Sequence, residues 1–351
     1  GTGNTAVGTD SGRLLTTGNY NTTVGFDSLE NTTTGTDNTA MGYYALQANT
    51  TASNNSAFGR QALAANTTGA GNTAVGTYTL DANTTGATNT ALGYAALSAN
   101  TTAANNVAVG NSALLANTTG AKNVAVGSGV LVANTTASEN TCVGMDAGNA
   151  ITTGPSNSIF GYRAGEYVTD LTTGTGNTLL GAYARTSATN TSFANAIGYD
   201  VSGAAGYTTL GVGGNDIRAA NGTATWATVS DERVKKDIED STVGLNFIND
   251  LRPVTFNYKN KGDLPTEFRG YEEDSTEVYK SEKSQHGFIA QEVKAAIDKH
   301  SDIKNGFSMW DDDDETGQQR VGETALIPIL TKAVQELSAK VEELENKLNN
   351  N

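Results

Sequence analysis

The sequence predicts an all-β parallel solenoid, a β-roll shaft of 17-residue coils, followed by a small α+β domain that ends in a coiled-coil helix. Three observations predict it. Asn recurs at 4, 21, 38, 55, 72, 89, 106, 123, 140 and 157, a strict period of 17, which marks a repeat architecture. Charge divides the chain, with 6 Lys+Arg and 11 Asp+Glu in residues 1–229 against 16 and 26 in residues 230–351. Near the end, Leu330, Val334, Leu337, Val341, Leu344 and Leu348 are spaced alternately by four and three, an a/d seam.

The shaft is expected over residues 1–212. Each Asn opens a block that closes on Gly, as in Asn72-Thr-Ala-Val-Gly76 and Asn106-Val-Ala-Val-Gly110. In most repeats Leu follows eight residues after the Asn, and a second Asn with Thr-Thr follows after eleven, as at Asn66 and Asn83. The spacing then loosens through Asn177 and Asn195, and Thr208-Thr-Leu-Gly211 is the last partial copy. Seventeen residues suit one coil of two short strands and two turns, with Asn and Gly supplying left-handed corners. One coil cannot bury its own apolar face, so the coils must stack. Met41 and Phe58, which replace the Val of the block, are expected in the core, and Cys142, which replaces the Ala, is expected as a small packed residue. The Asn-x-Thr triplets match glycosylation acceptors, but their locking to the repeat favours a structural role. Thr arrays on a flat face are also a candidate for ice or sugar binding, although plain turn chemistry accounts for them. This array resembles the head repeats of the YadA-like trimeric autotransporter adhesins and related repeats in phage tail fibres, with a longer period. The resemblance implies a homotrimer.

Residues 213–229 form a junction, and the charged unit fills 230–351. Ser230 before Asp231 and Glu232 reads as a helix N-cap with an acidic first turn. Val243 to Leu251 is expected as a short amphipathic helix, Pro253 to Tyr258 as a strand, and 260–285 as loop. His286 to Val293 should run from strand into a helix that reaches Lys299. The acidic run Asp311 to Glu315 lacks the alternate spacing of a Ca²⁺ loop and is expected as a solvated loop. No metal site and no cofactor are expected. The coiled coil should occupy about 326–349. Its three heptads are marginal alone but suffice as a clamp on an assembled oligomer.

Four ordered motifs carry a second resemblance: Ser-Asp-Glu-Arg-Val-Lys at 230–235, Leu-Arg-Pro-Val-Thr-Phe-Asn-Tyr at 251–258, Gly-Phe-Ile-Ala-Gln-Glu-Val at 287–293 and Ala-Leu-Ile-Pro-Ile-Leu at 325–330. Together they resemble the endosialidase-type intramolecular chaperone of phage tail fibres and tailspikes. The resemblance implies a homotrimeric folding domain that releases itself through a Ser/Lys dyad, with Ser230 as nucleophile, Lys235 as base and the cut at Val229–Ser230. It also implies a virion protein assembled in the host cytoplasm. Lys236 offers a second amine, so the choice of base stays open. A lysine base must be neutral, and Lys236 and Arg233 are the neighbouring cations that can lower its pKa. Gln291 and Glu292 are candidates to orient the dyad or a water.

The partners expected are two further copies of the chain and a host cell-surface receptor, a glycan, met by the shaft or a preceding region. The chain opens in mid-pattern at Gly1, so a preceding portion is expected. A net charge of −15 argues against sequence-independent nucleic-acid or anionic-lipid binding, and no apolar run reaches the ~18 residues of a membrane span. Two rival readings remain. A bacterial trimeric surface adhesin is disfavoured by the lack of C-terminal anchoring strands. A glycan-degrading spike is disfavoured because such sites need paired carboxylates, and the 11 acids of residues 1–229 are scattered.

Overall fold

The computed structural model describes residues 1–350 other than 167, 224, 229, 269, 305, 306 and 313–316. The chain divides into two compact units, Gly1–Asp231 and Glu232–Asn351.

In the first unit each block from Thr5 to Leu180 forms a three-residue strand that pairs in parallel with the same strand one repeat on, as in Thr73↔Thr90, Ala74↔Ala91 and Val75↔Leu92. Alternation along the strand turns the middle residue inward, so Ala40, Ala57, Ala74, Ala91 and Cys142 are fully buried. The Cys142 thiol is accordingly held well above its ordinary pKa by burial. The flanking residues point outward. Met41 and Phe58, expected in the core, are therefore on the surface at 39% and 37% exposure. Their strand position, two residues after the Asn-linked Thr or Ser, overrides their hydrophobicity.

Up to Leu180 the described coils hold one strand, not two; a second strand is present only in the last coils, where Arg185–Thr186 pairs in parallel with Ser202–Gly203. The second half of an earlier coil is a chain of tight turns, in which Ala45, Gln47 and Asn49 N–H groups donate to Gly42, Tyr44 and Leu46 carbonyls, while Leu46 and Ala48 donate to Ala62 and Ala64 of the next coil. Alternating backbone handedness produces this alternation of partners: Tyr44 and Leu46 have φ of 57° and 51°. The left-handed region costs an L-residue about 1–2 kcal/mol. Each Leu of this column is completely buried, and burying Leu contributes about 1.5–3 kcal/mol, so the column holds.

The repeat Asn residues do not supply the left-handed corners either. Those fall to the preceding residue, such as Tyr20, Asp37 and Thr88, and to the closing glycines. Gly76 shows why glycine is required: its φ is 133°, and a Cβ there would lie 2.3 Å from the Gly93 carbonyl oxygen. The Asn side chains instead run through the interior as two ladders. Asn89 donates through its backbone N–H (2.9 Å) and Nδ2 (3.2 Å) to Asn72 Oδ1, and through Nδ2 to the Ala103 carbonyl at 2.8 Å. In the second ladder Asn100 Nδ2 donates to Asn83 Oδ1 at 2.8 Å, and Asn117 Nδ2 to Asn100 Oδ1 at 3.1 Å. A buried amide is tolerated because it is bonded on both sides. The second ladder stops at Asn134, whose Oδ1 has no partner, since Ile151 stands where the next Asn would be.

The parallel array ends at Tyr207–Val212. Asn215–Ala220 folds back antiparallel to it, and Ala227–Thr228 adds antiparallel to that strand. Fifteen of the described shaft strands thus make one sheet, and Arg185–Thr186 pairs in parallel with Ser202–Gly203 as a separate two-stranded one.

The second unit has three α-helices among its described residues: α1 (Leu245–Asp250), α2 (Ala290–Asp298) and α3 (Leu326–Asn349). Val254–Phe256 pairs antiparallel with Gln285–Gly287. Phe247 of α1, Val293 and Ile297 of α2, Met309, and Leu326 and Ile329 of α3 form the core. Asp311 and Asp312 belong to a strand, Trp310–Asp312, paired with Gln319–Val321, rather than to a loop. The rest of the expected acidic loop, 313–315, lies outside the described residues. The helix expected after Ser230 is a single 3-10 turn, Glu232–Val234. Residues 230–242 are all exposed, and a short helix without a packed face does not persist.

Candidate functional site

The site residues named from the sequence fall in three places. Ser230 is exposed and follows Ala227–Thr228, whose register sets Thr228 opposite Ile217 and Ala227 opposite Arg218. Val229, the other half of the expected scissile bond, lies outside the described residues. Arg233 sits in the 3-10 turn, which closes with Lys235 N–H donating to the Glu232 carbonyl at 3.0 Å. Lys235 and Lys236 are both exposed. Asp237 then turns the chain with a φ of 53°.

Gln291 and Glu292 stand in the first turn of α2. Glu292 forms a two-pronged ion pair with Arg252, its Oε2 accepting from Arg252 Nε at 2.9 Å and its Oε1 from the terminal guanidinium nitrogen. The hydrogen bond from Arg252, ahead of its charge, holds the Glu292 carboxyl below its usual range. Gln291 lines a cleft of about 790 Å³ with Phe256, Tyr258, Tyr279 and Phe288. Lys280 lies over the rings of Tyr258 and Tyr279, at 5.6 and 5.3 Å.

Along α3 the two faces differ. Leu326, Ile329 and Ala333 are buried, whereas Leu330, Val334, Leu337, Val341, Leu344 and Leu348 are exposed, from 44% at Leu330 to 78% at Leu348. The heptad seam therefore begins on the solvent side of the same turns that hold the helix in the unit's core, joined there by exposed Ile327.

Two contacts were not legible in the sequence. Arg252 lies within the motif at 251–258, but nothing in the spacing names Glu292, 40 residues on, as its partner. The N-terminus of α1 has no side-chain cap of its own. The Leu245 N–H donates instead to Glu336 Oε2 of α3 at 2.9 Å, across 91 residues.

Among the described residues no helix is long and apolar enough to cross a membrane, and no His/Cys/Asp/Glu group is arranged to hold a metal. No curated protein and no solved structure matches the chain. One family model does match. Its first matched residue is Ser230, and its span, 230–302, takes in the 3-10 turn, α1, the Val254–Phe256 and Gln285–Gly287 strands and α2. Over residues 230–302 the chain is thus similar to the chaperone of endosialidase family, whose members are autoproteolytic intramolecular chaperones.

Proposed function

We propose that this chain is a segment of a phage tail fibre or tailspike, in which the C-terminal unit drives homotrimeric folding of the solenoid shaft and then cuts itself off at Val229–Ser230. The observation that carries this reading is a coincidence of boundaries. The family match opens at Ser230, and the division between the two compact units falls two peptide bonds after Val229–Ser230, between Asp231 and Glu232. The exposed apolar seam of α3 supports self-association, because a helix leaves such a stripe in water only at a cost that partner helices remove.

Serine is a weak nucleophile until a base takes its proton. In the proposed reaction neutral Lys235 removes the Ser230 hydroxyl proton as Oγ attacks the Val229 carbonyl carbon. The C–N bond breaks, and the Ser230 nitrogen leaves as an amine that receives a proton. Water then hydrolyses the ester, giving a Val229 carboxylate and restoring the Ser230 hydroxyl. Thr228 belongs to a strand of the shaft's terminal sheet, so the new C-terminus stays with the shaft. A shaft that has lost its folding unit is held by an unfolding barrier rather than by equilibrium.

Intact-mass analysis of the purified chain tests this. Wild type should yield fragments of 1–229 and 230–351, and Ser230→Ala should stay whole. A cut at another bond, or an uncut wild type after complete folding, would remove the assignment.

A further inference from the structure

A row of aromatic rings runs over five successive coils of the shaft, at the fifth and sixth residues after the repeat Asn. Phe26 stacks on Tyr43 at 5.7 Å between ring centres, and Tyr43 on Tyr44 at 3.9 Å. The Arg60 guanidinium then bridges Tyr43 and Tyr78, 5.7 and 5.5 Å from their ring centres, and Tyr78 meets Tyr94 edge-on at 6.0 Å. Phe26, Tyr43 and Tyr94 are 45%, 42% and 55% exposed, so the row is open to solvent. With coils about 4.8 Å apart, it extends roughly 20 Å along the shaft. The Tyr44 hydroxyl is held above its ordinary pKa by its hydrogen bond with Tyr43, then by burial, and Asp27 and Glu30 are near enough to add to the shift.

The coil does not need these rings. Thr9, Thr77, Asn111 and Ser128 fill the fifth position in other coils, and Asp27 and Ser112 fill the sixth. The sixth position has a left-handed backbone, with φ of 51° at Asp27, 55° at Ser112, 57° at Tyr44 and 59° at Tyr78. Asp adopts that conformation readily and a bulky ring does not. Strain kept where a less strained residue serves in neighbouring coils points to function.

We propose that this row is a binding platform for a neutral glycan, an oligosaccharide chain lying along it from coil to coil. Aromatic faces carry a negative quadrupole, and a pyranose ring offers them one face of polarised C–H groups. Its hydroxyls then reach sideways, where carboxylate and guanidinium groups make charge-assisted hydrogen bonds. Phe26, Tyr43 and Tyr94 supply the faces, and Asp27, Glu30 and Arg60 the polar partners. Asp10, Asp27 and Glu30 act on one another at this end of the shaft and outnumber Arg13 and Arg60, which disfavours a polyanionic glycan. A protein partner fits less well, because interface cores are depleted of charge and this row is one ring wide with ions in and beside it. The proposal goes beyond the self-cleaving reading and stands without it.

Affinity electrophoresis of the full chain tests this, in native gels cast with dextran, galactomannan or mixed-linkage β-glucan, and with hyaluronan as the anionic counterpart. At least one neutral polymer should retard the wild type, and hyaluronan should not. Tyr43→Thr combined with Tyr94→Thr installs the residue that Thr77 already provides at that position, so this variant should melt like wild type. Its affinity for the retarding polymer should fall roughly tenfold, the loss expected of two ring contacts. Met145→Thr, at the same position but outside the row, should bind like wild type. If the double change lowers the melting temperature, Arg60→Gln asks the same question without removing a ring, and it too should weaken retardation. No retardation by any neutral polymer, equal retardation of these variants, or retardation by hyaluronan alone would overturn the proposal. A changed assembly size of the double variant by light scattering would make the row a contact between copies, and would overturn it as well. None of these outcomes alters the Val229–Ser230 cleavage, which intact mass reads separately.

Discussion

Arg252 and Glu292 are joined by a two-pronged ion pair, with Nε 2.9 Å from Oε2. The pair ties a residue two positions before the Val254–Phe256 strand to the first turn of α2, and so connects two of the motifs by which the C-terminal unit is recognised. Glu292 is thereby committed to holding a scaffold element. Arg252 controls where its carboxylate points.

This pair carries a pH signature. Glu292 is held below its usual pKa in the folded chain, so its contribution to stability is present above the ordinary carboxyl range and is lost as pH falls through the lower folded value. Glu292→Gln should unfold at a lower temperature than wild type near neutral pH, and the two should converge in acid. Both groups are largely exposed, so the difference should be small and shrink with salt. Thermal melts over a pH series check this. If pairing is the role of Glu292, the exchanged pair Arg252→Glu with Glu292→Arg should restore the wild-type extent of self-cleavage that either single change lowers.

The two adjacent amines can be separated by substitution. Lys235→Ala should fold and assemble like wild type yet remain a single chain on a denaturing gel. Lys236→Ala should be cut. The opposite pattern would move the base to Lys236.

The Asn ladders should be essential to the shaft. Asn100→Ala removes the donor to Asn83 Oδ1 and the acceptor of Asn117 Nδ2, leaving buried amide groups unpaired. Such groups cost about 1–3 kcal/mol each, so the shaft transition should fall by roughly 2–4 kcal/mol in urea unfolding. Gly76→Ala should be worse, because a left-handed backbone and a clash with the Gly93 carbonyl act together. No soluble shaft is expected from it.

Much of this protein was legible because repetition makes a local pattern redundant. The 17-residue spacing of Asn and Gly specified a parallel solenoid, and its coil boundaries agree with the strand register from Thr5 to Leu180. The helices at Leu245–Asp250 and Ala290–Asp298 and the long helix Leu326–Asn349 followed from apolar spacing, and the family match that opens at Ser230 followed from ordered motifs.

The failures have one cause. Composition says that Met41 and Phe58 are hydrophobic, but the face a strand residue takes depends on where the strand begins. A shift of one position reverses it. Whether a coil's second half is strand or turn depended on Leu46 accepting a left-handed backbone, which only stacking between coils makes favourable. What the sequence by itself determined is the period, the start of the family match at Ser230 and the long helix with its a/d seam, since each is written in neighbouring residues. What only the tertiary structure decided is which partner each side chain meets: Glu336 at the N-terminus of α1, and Arg252 on Glu292. Those contacts join residues far apart in the chain, and no local spacing encodes them.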